Sequence, residues 1–283
     1  MDLIRRFSEC TGEPTTTPVA AYCLVQKGLV LEHAVDYFYA NPGIIRRVHA
    51  NPSAYAHYVQ TLHSSQKPIR FEEAVKTSLG AEIYRLFSRY KEPSPNAFGI
   101  EYIGYDGTLN YLTDLSIDPE QVEALVLAYY LNAREVGVFE RDSFVLSFYK
   151  LGLKSLEQQS NFIKAETVKL KSEPLTGDIF KAVYKFTFPY SLDKDFRAHV
   201  QKQMNTEEAI EYLKLLIPPS KQFETFINWL HQSSRKFIKK DEWNMIPSFI
   251  NLYQTTDILS TFTEEAYWPL MMDEFVEFLA EQV

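Results

Sequence analysis

Two cysteines and six histidines are the side chains of this 283-residue chain best suited to nucleophilic or metal chemistry, and their spacing supports neither. Cys10 and Cys23 are too few for a disulfide framework, and no C-x-x-C is present. His49, His57 and His63 share no helical face, and His33, His199 and His231 are scattered, so no zinc-type ligand set forms. The motifs G-x-S-x-G, H-E-x-x-H and G-x-x-x-x-G-K-[ST] are absent, which removes local support for hydrolase, metalloprotease and nucleotide-binding chemistry. Cys23 reads as a small buried apolar residue. No catalytic residue, metal or cofactor is expected.

The chemistry left is recognition through charge and apolar surface. Lys and Arg number 29 against 37 Asp and Glu, a net charge of −8, which argues against a generic nucleic-acid binder. From Asp257 to Val283 the chain has seven acidic residues and no Lys or Arg. Within it Asp273, Glu277 and Glu281 recur every four residues, opposite Met271, Met272, Phe275, Val276, Phe278 and Leu279, and so form an acidic stripe on an amphipathic helix. Asp241, two residues before Trp243, reads as a helix cap worth ~1 kcal/mol. The basic run of Arg235, Lys236, Lys239 and Lys240 lies beside this stripe and reads as solvating a helix connection or orienting an acidic partner rather than as an RNA site.

The elements that must position these residues are helical. Hydrophobic residues make up 46% of the chain and aromatics 14%, enough for a packed core, while 10 Gly is sparse for a turn-dense β-protein. At roughly 150 residues per domain the length suggests about two folding units. Residues 1–45 read as three short helices with a thin core. Residues 46–70, rich in small and polar residues with Pro52 and Pro68, read as a linker with room for one short helix. Residues 71–283 show helical periodicity over about ten segments, beginning with one predicted helix from Phe71 to Tyr90, and no competing strand-length alternation. Within them, Ala81 to Gly152 has the shape of two helix-loop-helix units, with Phe98 to Ile103 and Gly137 to Phe139 where a paired EF-hand would carry short strands. The loop KEPSPNAFGIEYIGY lacks calcium's oxygen ligands. EF-hand-like geometry without metal is therefore expected. The longest apolar runs fall short of the ~18 residues that suggest a membrane span, and the opening MDLIRRFSEC lacks a signal-peptide core, so cytoplasm and/or nucleus is expected.

Four stretches, read in order, carry a resemblance: YDGTLNYLTDLSIDPEQVEALVLAYYLNAREVGVFERDSFVLSFYKLG from Tyr105, KAVYKFTFPYS from Lys181, KKDEWNMIPSF from Lys239 and YWPLMMDEFVEFL from Tyr267. Together they resemble the defective-in-cullin-neddylation family, whose shared module is the potentiating-neddylation (PONY) domain. Residues 1–45 resemble the three-helix ubiquitin-associated (UBA) bundle that fungal members carry ahead of it. The resemblance implies an all-α fold: UBA-like bundle, linker, then a PONY domain with an EF-hand-like half and a C-terminal helical half.

It also implies a scaffold-type co-ligase that is not itself a covalent enzyme. Such a protein binds the C-terminal region of a cullin and the neddylation conjugating enzyme, which holds the thioester cysteine, and speeds transfer of the ubiquitin-like modifier to a cullin lysine. The implied cullin contacts are Asp241, Asp273 and Glu277, with Ala266 and Tyr267 between them, since this chain has Tyr267 where the family usually has Ala directly before Trp-Pro. The implied pocket for the acetylated N-terminal methionine of the conjugating enzyme is Tyr105, Thr108, Ala124, Leu127, Val136, Phe139, Tyr190 and Leu215. Thr108 and Tyr190 stand where the family tends to have Ile and Phe. The alternative is an adaptor that binds ubiquitin, or the modifier, through the UBA-like bundle, although SECTGEP after the first helix lacks the Met-Gly-hydrophobic turn common in ubiquitin-binding bundles. Neither nucleic acid nor membrane is an expected partner.

Overall fold

A computed structural model describes residues 3–13, 18–27, 31–55, 58, 69–192, 203–262 and 268–282. The chain divides into two compact units, Met1–Ile69 and Arg70–Val283. Among the described residues, helices dominate both, and the only sheets are two short antiparallel pairs.

The first unit contains α1 (Leu3–Thr11), α2 (Val19–Gln26), α3 (Leu31–Ala40), α4 (Pro42–Ala50) and a 3₁₀ turn at Pro52–Tyr55. Phe7, Val19, Ala20, Cys23, Leu24, Ala34 and Val48 are fully buried, and Phe7 meets Phe38 edge to face at 5.6 Å. The sequence predicts three helices ending at 45 and a linker from 46 with room for one short helix; the structure has that fourth helix, starting at Pro42 ahead of the expected boundary. Pro42, which reads as a breaker, sits at the start of α4, where its fixed φ suits a helix and its missing N–H costs nothing. Ile45 and Val48, three residues apart, then turn one face of α4 into the core. Beyond it, Tyr55 and Tyr58 pack on Tyr22 at 5.4 and 4.9 Å. His49 Nε2 on α4 lies 2.7 Å from Oε1 of the buried Glu13.

The second unit opens with α5 (Phe71–Ala74) and α6 (Ser78–Phe87). The single helix predicted over 71–90 is interrupted by Thr77, whose hydroxyl accepts the Gly80 N–H at 3.0 Å and donates to Ala74 O at 2.7 Å. A Cβ at Gly80 would come 2.1 Å from Ala74 O, so the break requires glycine there. Next come β1 (Tyr102–Ile103), α7 (Tyr105–Asp114), α8 (Val122–Tyr130), β2 (Phe139–Glu140) and α9 (Arg141–Leu151). The strands pair with Tyr102 opposite Glu140 and Ile103 opposite Phe139, which gives the helix-loop-helix pair its expected strand link.

The remaining elements are α10 (Leu156–Ser172), α11 (Asp178–Ser191), β3 (Gln203–Asn205), α12 (Thr206–Leu216), α13 (Lys221–Gln232), β4 (Phe237–Lys239), α14 (Lys240–Thr255), α15 (Ile258–Thr261) and α16 (Leu270–Ala280). The β3–β4 ladder is unexpected from sequence, because three residues per strand are too few to show alternation; Met204 pairs with Ile238, and both are buried. At the centre, Tyr184 of α11 stacks on Trp243 of α14 with centroids 4.5 Å apart. The Tyr184 hydroxyl donates to Trp243 O at 2.8 Å, and the indole N–H donates to Tyr184 O at 3.1 Å. Each ring thus buries its polar group against the other's backbone, avoiding a desolvation cost of ~1–3 kcal/mol per orphaned group.

Two candidate docking surfaces

The first surface is a cavity of about 320 Å³ in the second unit. Its walls come from helical stripes: Tyr105, Thr108, Leu109 and Leu112 on α7, Gln121, Ala124 and Leu125 at the start of α8, and Tyr212 and Leu215 on α12. Val136, Gly137, Phe139 and Tyr190 close it. Seven of the eight pocket residues read from sequence, Tyr105, Thr108, Ala124, Val136, Phe139, Tyr190 and Leu215, therefore line one cavity. Leu127 does not; it is fully buried, because its position on α8 points into the core. The sequence reading lacks Leu109, Leu112, Leu125 and Tyr212, although steps of three or four from Tyr105, Thr108 and Leu215 reach Leu109, Leu112 and Tyr212.

Polar groups fix the shape of the cavity. The Thr108 hydroxyl donates to Gly137 O at 2.9 Å, tying α7 to the loop before β2. Gly137 holds φ +73, and a Cβ there would come 3.1 Å from the Tyr105 ring. Tyr105 and Val136 form an exposed rim, while Phe139 is buried at the base. Burial raises the Tyr190 phenol above its ordinary value, and a backbone hydrogen bond with Gly137 acts against that rise. Pro119 and the exposed Glu120 complete the lining; the apolar majority of the wall suits an apolar side chain with a neutral polar end, since a charge buried against it would be costly.

The second surface lies around the starts of α14 and α16. Asp241 is exposed in the first turn of α14, where a carboxylate favours the positive helix end. The capping role expected of Asp241 belongs to its neighbour: Glu242, 3% exposed, accepts the Lys239 N–H through Oε2 at 2.7 Å. Arg235 donates to Glu242 Oε1 at 2.9 Å and also to Glu274 of α16. One guanidinium thus joins the first turn of α14 to Glu274 on α16, a role that its place in a basic run does not reveal. Asp273 is partly buried and Glu277 exposed, while Met271, Met272 and Phe275 face the core. Trp268 packs on Phe249 at 5.7 Å, and Pro269 starts α16. Ala266 and Tyr267 lie outside the described residues.

A mainly helical body with a lined cavity and an acidic two-helix surface has the features of a protein-docking module. Residues 158–278 match the family described as Cullin binding, a span that includes Tyr190, Leu215, Asp241, Asp273 and Glu277. The chain is 32% identical over 201 residues to Defective in cullin neddylation protein 1 of Yarrowia lipolytica, covering 70% of this chain and 77% of that protein. It is 28% identical over 320 residues to the Candida albicans protein of the same name, covering 98% and 96%. Human DCN1-like protein 5 is 25% identical over 241 residues, covering 84% and 93%. The chain belongs to the defective-in-cullin-neddylation family.

Proposed function

We propose that this chain acts in cullin neddylation as a scaffold-type co-ligase. Family membership supports the role in neddylation and the binding of a cullin. In the finer reading, Asp241, Asp273 and Glu277 contact the C-terminal region of a cullin, and the α7–α8 cavity takes the acetylated N-terminal methionine of the conjugating enzyme. Transfer of the ubiquitin-like modifier to a cullin lysine then proceeds at the conjugating enzyme's own cysteine.

The observation that carries the finer reading is the cavity, a 320 Å³ space walled mostly by apolar side chains and neutral polar groups, with Glu120 the one carboxylate in its lining. Acetylation removes the terminal ammonium, so burying that end no longer strips water from a charge. Both cysteines of this chain lie in the unit Met1–Ile69, apart from the unit that contains the two surfaces. Acceleration comes from raised effective concentration and fixed orientation. Such a protein works in the cytoplasm and/or nucleus, where cullins are modified.

A reconstituted cullin-neddylation assay tests this reading. Adding the chain should raise the transfer rate with acetylated conjugating enzyme and much less with the unacetylated form. Equal rates with and without the chain would overturn it.

A further inference from the structure

The outward side of β4 gathers three exposed lysines within five residues. Elsewhere in the second unit some cations are paired, as in Lys91 and Arg141 with Glu101, Lys154 with Glu82, and Lys171 with Glu123, while others such as Lys76 and Lys164 are exposed and, among the described residues, make no ion pair but stand singly. Lys236, Lys239 and Lys240 are all exposed, and among the described residues none of them makes an ion pair. Arg235, the fourth cation of the run, is already taken by Glu242 and Glu274. Among the lysines stands Phe237, 44% exposed, with Ile238 turned fully inward beneath it. Alternation along the strand puts Phe237 and Lys239 on one side, about 7 Å apart.

The backbone that presents these groups is already fixed. Phe237 pairs with Asn205, Lys236 O accepts the Thr206 N–H at 3.0 Å, and the Lys239 N–H is held by Glu242. A partner would therefore order little of this face on binding, which lowers the entropic cost of association. In a chain of net charge −8, three unpaired lysines around an exposed aromatic form a local patch of opposite sign. It continues directly into Asp241 through Lys240.

We infer that the β4 face is a second, oppositely charged half of the cullin-docking surface, occupied by an acidic segment bearing an apolar side chain on the same partner that meets Asp241 and Asp273. This rests on the reading of those acids as cullin contacts. Three lysines give too short a cationic track for a nucleic-acid backbone, and Asp241, Glu242 and Glu274 beside them repel phosphates. A protein segment needs only a few complementary charges and one apolar anchor. The two halves together would fix the partner's orientation, since a rotated partner would bring like charges together.

The test measures affinity and salt dependence of a purified cullin C-terminal region for the full chain and three variants: Asp241→Lys, Phe237→Ser, and the combined Lys236→Glu, Lys239→Glu, Lys240→Glu. The combined variant should bind at least ~10-fold more weakly with a shallower salt dependence, and Phe237→Ser several-fold more weakly, at unchanged Tm. If Asp241→Lys weakens binding but the combined variant stays within twofold of wild type, the inference fails while the function stands. If wild type does not bind cullin, the proposed function itself fails. Tight binding of a duplex DNA or single-stranded RNA probe at physiological salt, lost in the combined variant, would reassign the face to nucleic acid and overturn the inference.

Discussion

Arg235 donates to Glu242 at 2.9 Å, and both side chains are largely withdrawn from solvent, at 18% and 3% exposed. The same guanidinium reaches Glu274, so the relation of α14 to α16 depends on a charge pair whose acid also caps α14. Breaking a buried pair from one side strands the other charge. Arg235→Ala should therefore destabilise the second unit by about 3 kcal/mol, roughly 6–12 °C in Tm, and weaken cullin binding along with it. Differential scanning calorimetry checks this; a Tm drop under ~2 °C would mean that Glu242 finds another partner.

Gly137 offers a way to deform the cavity without touching the acidic surface. Alanine at φ +73 is strained by ~1 kcal/mol, and its methyl would crowd the Tyr105 ring at the rim. Gly137→Ala should cut affinity for an acetylated peptide of the conjugating enzyme about tenfold while cullin pull-down is retained. Fluorescence anisotropy with acetylated and free-amine peptides reads the effect, and unchanged anisotropy curves would detach the cavity from the conjugating enzyme.

Much of this architecture is legible in the sequence. The 3.6-residue period over residues 71–283 foreshadows the helices of the second unit. What escapes has physical causes. The break at Thr77 is hidden because apolar residues continue on both sides of it. The early start of α4 is obscured by Pro42, and β3 and β4 by their length. Leu127 is implied for the pocket by the resemblance alone; in the fold it is fully buried beside the wall residues Ala124 and Leu125. Arg235 could not be recognised as a clamp, because Glu274 lies 39 residues away and only the fold brings them together.

Alkaline pH should unfold the second unit through its buried phenols. Burial, reinforced by a hydrogen bond to Asp114 at 2.5 Å, pushes Tyr90 up to about 12. A phenol raised in the folded state favours folding fully below its unfolded value near 10, and that contribution is lost as pH climbs through 12. Tyr111 and Tyr184 are raised well above the ordinary phenol value by burial and act in the same direction. The urea midpoint should fall from pH 10 upward, less steeply in Tyr90→Phe. A flat profile to pH 12 would contradict the assignment.

The two thiols should behave differently. Cys10 is exposed, whereas burial raises Cys23 to about 12 and protects it. Ellman's reagent should therefore titrate one thiol quickly in native protein and the second only on unfolding. The Cys10→Ser/Cys23→Ser variant should keep its neddylation rate within about twofold, because neither sulfur takes part; loss of that rate in a folded variant that still binds both partners would refute this.

The central claim is that the chain works by holding two proteins together. Measuring the initial rate of modifier transfer against the concentration of this chain, at fixed cullin and acetylated conjugating enzyme, tests it most directly. A bridge should give a rate that rises and then falls, because excess bridge separates its partners into binary complexes. A rate that climbs to a plateau and holds far above both dissociation constants would contradict it.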